Sequence, residues 1–251
     1  MIDLHSHVLP GVDDGSRTVE QSIGVLRSFV AKGITDVACT PHILASNVAL
    51  GWPENYEAAW TTLTAQLPEG IAVHRGAEVM LDRPLPGAAA ERKLTVAGSR
   101  YLLVEFARMV PAEIVGRALM EVIKVGLVPI LAHPERYSSC SVETVRAWRN
   151  LGTVIQVDAT TVTLPRSRGD RARDLVQAGL ADILAADNHG DTRNVATALD
   201  WLADQDGADQ AALLLDTNPR AILDDLAIYE VDPLPMKRSM WRSVRRLFGS
   251  E

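Results

Sequence analysis

The chain has six histidines: His5, His7, His42, His74, His133 and His189. Five of them fall where a strand-like run ends. His5 and His7 flank one residue, and side chains two apart on an extended chain point to the same side. Both imidazoles can therefore face one metal ion. Asp187 and His189 repeat that spacing after the apolar run 183–186. His42 follows the run 34–40, and His133 follows 127–131. Glu78 stands near the end of 71–79 and Glu105 near the end of 101–106. A lone histidine more often packs in a core or caps a helix. Eight nitrogen and oxygen donors on six strand ends are different, because carboxylates in apolar strands need a cation. Eight donors exceed one tetrahedral site, so two or three ions are expected. A donor set without thiolate suits manganese, iron or zinc. Asp13 and Asp14, in the first loop (GVDDG), add a further ligand if that loop folds over the metal face. Otherwise they make an Asp-Gly turn. His74 lies early in its strand and is left out of the site.

These donors need strands that end on one side, and the hydrophobic pattern supplies them. Strands are expected at 2–4, 34–40, 71–79, 101–106, 127–131, 153–157 and 183–186. Helical spacing places helices at 19–31, 53–67, 111–124, 142–150, 171–178 and 194–203, with 211–216 and 219–227 closing the fold. A loop and a short helix are expected within 81–96. Short, buried-looking strands alternating with helices favour a parallel, barrel-like α/β sheet over an open doubly wound one. Barrel sites form at the C-terminal ends of strands, where these donors lie. No linker interrupts residues 1–230, which read as one domain.

The composition narrows the function. Of 251 residues, 47% are hydrophobic and 23% charged, an ordinary globular balance. No run of 18 apolar residues occurs, and the start lacks a signal-peptide pattern. The formal charge is −7, from 25 Lys and Arg against 32 Asp and Glu. Such a surface repels polyanions, so nucleic acid is not an expected partner, although a local metal centre can still bind phosphate. Neither dinucleotide nor P-loop glycine motifs are present. Cys39 and Cys140 read as reduced thiols of a cytoplasmic protein, not as phosphatase nucleophiles. The tail 231–251 carries Lys237, Arg238, Arg242, Arg245 and Arg246, with Trp241, Val244, Leu247 and Phe248 at helical spacing. It reads as a basic amphipathic helix, either docked on the domain or touching a membrane surface.

The ordered segments HSH (5–7), TPH (40–42), GAE (76–78), VEF (104–106), HPER (133–136) and DNH (187–189) resemble the PHP (polymerase and histidinol phosphatase) superfamily. Within it, the opening MIDLHSHVLPGVDDG and HPER are most similar to the bacterial capsule and exopolysaccharide tyrosine-protein phosphatases. The resemblance implies a distorted seven-stranded (βα)7 TIM-like barrel of the PHP type and a manganese centre. It implies that His5, His7, Glu78 and Asp187 hold one ion. Glu78 would bridge to a second with Glu105 and His133. His42 and His189 would hold a third with Asp13 or Asp14. Asp14 is taken as that ligand and as a catalytic candidate. Arg136 and Arg193 would hold phosphoryl oxygens. The implied substrate is a phosphotyrosine protein, a tyrosine autokinase at the inner membrane face. A small phosphomonoester such as histidinol phosphate is the alternative. The chain departs from the family pattern at Ile43, Leu44 and Gly190, on the substrate rim. Tyr137 either stacks on a substrate ring or packs. The oligomeric state is not set by these residues.

Overall fold

The computed structural model describes residues 1–85 and 94–235. The expected short helix within 81–96 falls mostly on residues 86–93. The amphipathic part of the basic tail falls on 236–251. Both lie outside the described residues.

Nine short strands run in chain order. They are β1 (Ile2–Ser6), β2 (Asp36–Cys39), β3 (His42–Leu44), β4 (Ala72–Arg75), β5 (Glu78–Met80), β6 (Tyr101–Glu105), β7 (Val128–Ala132), β8 (Val154–Asp158) and β9 (Ile183–Ala185). All neighbours pair in parallel, in a three-stranded sheet β1-β2-β4 and a six-stranded sheet β3-β5-β6-β7-β8-β9. Two expected strands turn out differently. The run 34–40 narrows to β2, and an unexpected strand, β3, follows beyond Thr40–Pro41, where proline has no N–H to give the ladder. The run 71–79 becomes β4 and β5, separated at Gly76–Ala77. A Cβ on Gly76 would lie 3.2 Å from Thr40 Cγ2, so the two breaks pack against each other. At the far edge Ser6 makes an isolated parallel bridge to Asn188, and His7 N donates to Asn188 O at 2.7 Å. The result is an α/β fold whose parallel sheets resemble a distorted barrel.

Helices pack outside the strands. α1 (Val19–Ala31) starts at Thr18, whose hydroxyl accepts from Gln21 N, and buries Ile23, Val25, Leu26 and Phe29. It ends before Gly33, whose φ of +76° suits glycine. Next come α2 (Tyr56–Thr64), α3 (Ala112–Lys124), α4 (Val142–Arg149) and α5 (Ser167–Gln177). The last helix of that set begins four residues earlier than its hydrophobic spacing implied. Beyond α6 (Ala196–Asp204), α7 (Ala208–Ala212) runs through a π-turn at Leu213–Thr217 into α8 (Asn218–Leu223). Among the described residues no helix is long and apolar enough to cross a membrane.

Ile2, Leu4, Ala38, Tyr101, Leu103, Ile130, Ala132, Val154 and Ile183 form a small apolar cluster separate from the larger layer between strands and helices. Two residues further along the same strand faces stand Glu105 and Gln156, as the period of two requires, and Asp187 follows just beyond the end of β9. An apolar floor thus underlies a polar layer. In β1 the pairing shifts between Asp3 and Ser6, which lets His5 and His7 join that layer.

Candidate metal centre

His5 and His7 are each held by a second group. His5 is fully buried, and its Nδ1 lies 3.1 Å from Gln156 Oε1. That oxygen also accepts from His133 N at 3.2 Å, so it is an acceptor and the His5 proton sits on Nδ1. Nε2 is left facing Glu78 Oε2 (3.1 Å), Asp187 Oδ1 (3.2 Å) and His7 Nε2 (3.2 Å). His7 repeats the design. Its Nδ1 meets Asp13 Oδ2 at 2.7 Å, while Nε2 lies 3.3 Å from Glu78 Oε2 and from Asp187 Oδ1. His42 Nδ1 lies 3.0 Å from Glu78 Oε2 and 3.2 Å from Glu105 Oε1. His42 Nε2 and His189 Nε2 each lie 3.4 Å from Asp14 Oδ1. His133 Nε2 approaches the other oxygen of Glu78, Oε1, at 2.9 Å.

Three groups of donor atoms result, each within 4.8 Å: His5, His7, Glu78 and Asp187; His42, Glu78 and Glu105; and His7, Asp14, His42 and His189. His42 enters two groups, one through each ring nitrogen, where the resemblance placed it in one. The two aspartates of the first loop divide. Asp13 turns inward, bonded to His7 Nδ1, His42 N and Gly15 N. Asp14 is largely exposed and reaches the outer histidines. His74 lies apart from this face as expected, with its Nε2 2.9 Å from Asp36 Oδ1.

The electrostatics of the pocket favour added positive charge. Burial opposes ionisation of Glu78, yet His5, His133 and His42 hold its carboxyl well below the usual range. Burial likewise opposes Asp187, which His5, His7 and Arg136 hold low. Burial pushes His42 down, but Glu105 and Glu78 outweigh it and raise it to about 10. Glu78 Oε2 and Asp187 Oδ1 are buried and accept no hydrogen bond, although imidazole nitrogens surround them. Buried carboxylate oxygens without donors, facing imidazole nitrogens at ligand spacing, fit divalent metal ions.

Two arginines border the centre. Arg136 follows β7 in the turn Pro134–Arg136, and its Nη2 bonds Asp158 Oδ2 at 2.8 Å and also Asp187 Oδ2. Arg193 Nη1 lies 3.8 Å from Asp187 Oδ2, while its Nε is bonded to Asp191 Oδ2 at 2.8 Å. Tyr137 does not offer a ring to solvent. It is 1% exposed, donates to Ala132 O and accepts from Phe106 N, so its role is packing. Of the rim departures, Leu44 is 45% exposed and Ile43 is buried. Gly190 has φ +74°, and a Cβ there would lie 2.9 Å from Ser16 Cα. No other residue fits that turn without moving the first loop.

Sequence reasoning missed Asp3, Gln156, Asp158 and Arg168. Asp158 is the last residue of β8, one beyond the expected strand end, and Gln156 precedes it on the same face. Period-two spacing was the available signal. Asp3 Oδ1 accepts from His5 N and Ala186 N, tying β1 to β9, and burial pushes its carboxyl up to about 7. The sequence does carry one C-x5-R pattern, since Arg146 stands six residues after Cys140. In the fold those residues are not a phosphate loop. Ser141 caps α4 by accepting from Thr144 N, and residues 142–146 are helical. Burial raises the Cys140 thiol to about 12, far from a thiolate.

A family model, described as capsular polysaccharide synthesis, CpsB/CapC, matches residues 1–224. Tyrosine-protein phosphatase CpsB of Streptococcus pneumoniae is 27% identical over 244 residues, covering 91% of this chain and 100% of the relative. Tyrosine-protein phosphatase YwqE of Bacillus subtilis is 27% identical over 260 residues, covering 99% of both. Among solved structures, one described as YwqE and CpsB, unique metal-dependent tyrosine phosphatases, superposes with a TM-score of 0.80 at 26% identity, covering 95% of this chain and 100% of that one. A phosphotriesterase from Mycobacterium tuberculosis, at 13% identity, shares the fold with a TM-score of 0.59 and covers 91% of this chain and 95% of its own. The donor set at the strand ends and the match over most of the chain agree: this chain belongs to the CpsB/CapC family of capsular polysaccharide synthesis.

Proposed function

We propose that the chain is a metal-dependent protein-tyrosine phosphatase of a capsule or exopolysaccharide system, built as a single PHP-type (βα)7 barrel over residues 1–230. The observation that carries this reading is the set of three overlapping donor groups, two of them sharing Glu78, with Arg136 beside Asp187. Divalent ions, manganese in this reading and two or three in number, supply an activated water and positive charge for phosphoryl oxygens. The chain's own groups do the rest. Gln156 and Asp13 fix the tautomers of His5 and His7 and aim Nε2 of each inward. Arg136 and Arg193 present guanidinium forks matched to phosphate oxygens. A tyrosyl oxygen, whose phenol has a pKa of about 10, leaves readily once a proton is near. Asp14, at the open edge between His42 and His189, is placed to relay one.

The substrate is a phosphotyrosine segment of a tyrosine autokinase. The enzyme acts in the cytoplasm, and the basic residues Lys237, Arg238, Arg242, Arg245 and Arg246 favour association with the inner membrane face, while Val231 and Leu234 before them pack into the domain. The test is phosphate release by protein stripped of metal and then reloaded with Mn²⁺, on a phosphotyrosine peptide beside histidinol phosphate. Manganese-dependent release from the peptide is expected. Preference for histidinol phosphate would overturn the tyrosine assignment and leave a metal-dependent phosphatase of a small metabolite.

A further inference from the structure

Asp158 ends β8 with a carboxylate whose two oxygens have separate partners. Oδ1 accepts from Thr160 N (2.8 Å), Thr160 Oγ1 (2.7 Å) and Thr161 N (3.2 Å), which locks the group in place. Oδ2 accepts from Arg136 Nη2 (2.8 Å) and Arg168 Nη2 (3.2 Å). A single oxygen therefore holds two guanidinium groups side by side. The same Nη2 of Arg136 also reaches Asp187, a member of the first donor group. Arg168 consequently stands next to an arginine that touches the metal centre.

The segment around Arg168 is built to place it. A Cβ on Gly169 would fall 2.0 Å from Leu164 O, so only glycine permits the fold-back there. Arg173 Nη1 clamps the carbonyls of Val162 (2.7 Å) and Leu164 (2.9 Å). Arg166 has φ +80° and ψ −179°, a region that glycine alone occupies without strain. The Arg168 side chain is 39% exposed, above a carboxylate that is 2% exposed. Nε of Arg136 and Nε of Arg168 are both buried without an acceptor. Burial and the adjacent Arg136 both work against the charge on Arg168. Two crowded cations thus share one carboxylate oxygen, and each keeps a guanidinium Nε without an acceptor.

We infer that Arg168 is a third substrate-binding arginine, holding phosphoryl oxygens jointly with Arg136. This rests on the phosphatase reading above and adds a residue to it. The alternative role for Arg168 is to neutralise Asp158 and anchor α5. The test is isothermal titration calorimetry of inorganic phosphate into the Mn²⁺-loaded full chain, comparing wild type with R168A, R168Q and R168K. Bound manganese and thermal midpoint are measured on each. A hydrogen bond to a charged group is worth about tenfold or more in affinity. R168A and R168Q should raise the phosphate dissociation constant about tenfold with manganese content and midpoint unchanged. R168K, which keeps charge but loses the fork, should fall between. A phosphate affinity within twofold of wild type in all three variants overturns the inference. So does a loss that only tracks lost manganese, or a wild-type protein that takes up no phosphate. Failure of wild type to act on phosphotyrosine peptide would instead refute the tyrosine assignment, and the phosphate comparison would still decide the role of Arg168.

Discussion

Replacing Asp13 by asparagine should loosen the metal centre without touching a ligand. The Asp13 carboxylate receives three hydrogen bonds, from His7 Nδ1 at 2.7 Å, Gly15 N at 3.0 Å and His42 N at 3.1 Å. Burial opposes its charge, but His7 outweighs that and holds the carboxyl below its ordinary value. A hydrogen bond to a charged group contributes about 1.5–3 kcal/mol, and a neutral bond roughly half as much. Asp13→Asn keeps the shape but leaves one accepting oxygen for three donors, which weakens the network that fixes the His7 tautomer. Groups that orient metal-bound histidines in this way are worth about 10- to 100-fold in metal affinity, or about 1.4–2.8 kcal/mol. Asp13→Ala should cost more, because Gly15 N and His42 N then lose an acceptor. Asp14→Ala is the contrast. Its side chain is 70% exposed and reaches only the outer histidines, so metal-free stability should hold while the outermost metal position weakens. The assay is manganese titration by calorimetry, with thermal unfolding of the metal-free proteins alongside. An Asp13→Asn affinity within twofold of wild type would refute the orienting role. So would an Asp14→Ala protein less stable without metal than Asp13→Ala.

Three further outcomes are expected. Gly15→Ala would set a methyl 2.0 Å from His7 O, forcing the first loop outward. The fold should survive by circular dichroism while manganese uptake falls, and normal uptake would contradict the close approach. Manganese at a hundred times its dissociation constant adds about 2.7 kcal/mol by mass action, or roughly 5–10 °C in thermal midpoint for a chain of this size. A midpoint indifferent to chelator would argue against the donor groups binding metal. Asp36, far from the centre, is opposed by burial but held below its ordinary value of 3.8 by Arg220 and His74. Its contribution to stability is therefore present above pH 3.8 and lost as pH falls below it. The stability gap between wild type and Asp36→Asn in urea should be wide at pH 6 and narrow at pH 3; an equal gap at both would remove the ion pair as its source.

Much of the site was legible because strands have a period of two. His5 with His7 could be placed on one face from spacing alone, and the folded chain brings seven of the eight strand-end donors into three overlapping groups, with His133 outside them beside Glu78 Oε1. The helix at 19–31 was legible because its cap, apolar stripe and terminal glycine all agree. The breaks at Pro41 and Gly76 were not. An apolar run looks the same whether it serves one strand or two, and the kink depends on the two breaks meeting in space. Tyr137 shows the same limit, since only its contacts with Ala132 and Phe106 distinguish packing from substrate stacking.

By itself the sequence determined which atoms could bind metal, that they sit at strand ends in a parallel α/β chain, and which family they match. Tertiary structure alone decided between Asp13 and Asp14, turned the Cys140–Arg146 spacing into a helix, and set Arg168 beside Arg136 across 32 residues of chain. The reason is physical. Residue type and local period are carried by neighbours in the chain. The partner of a carboxylate oxygen, and the burial that sets its charge, come from segments that meet only when the sheet is formed.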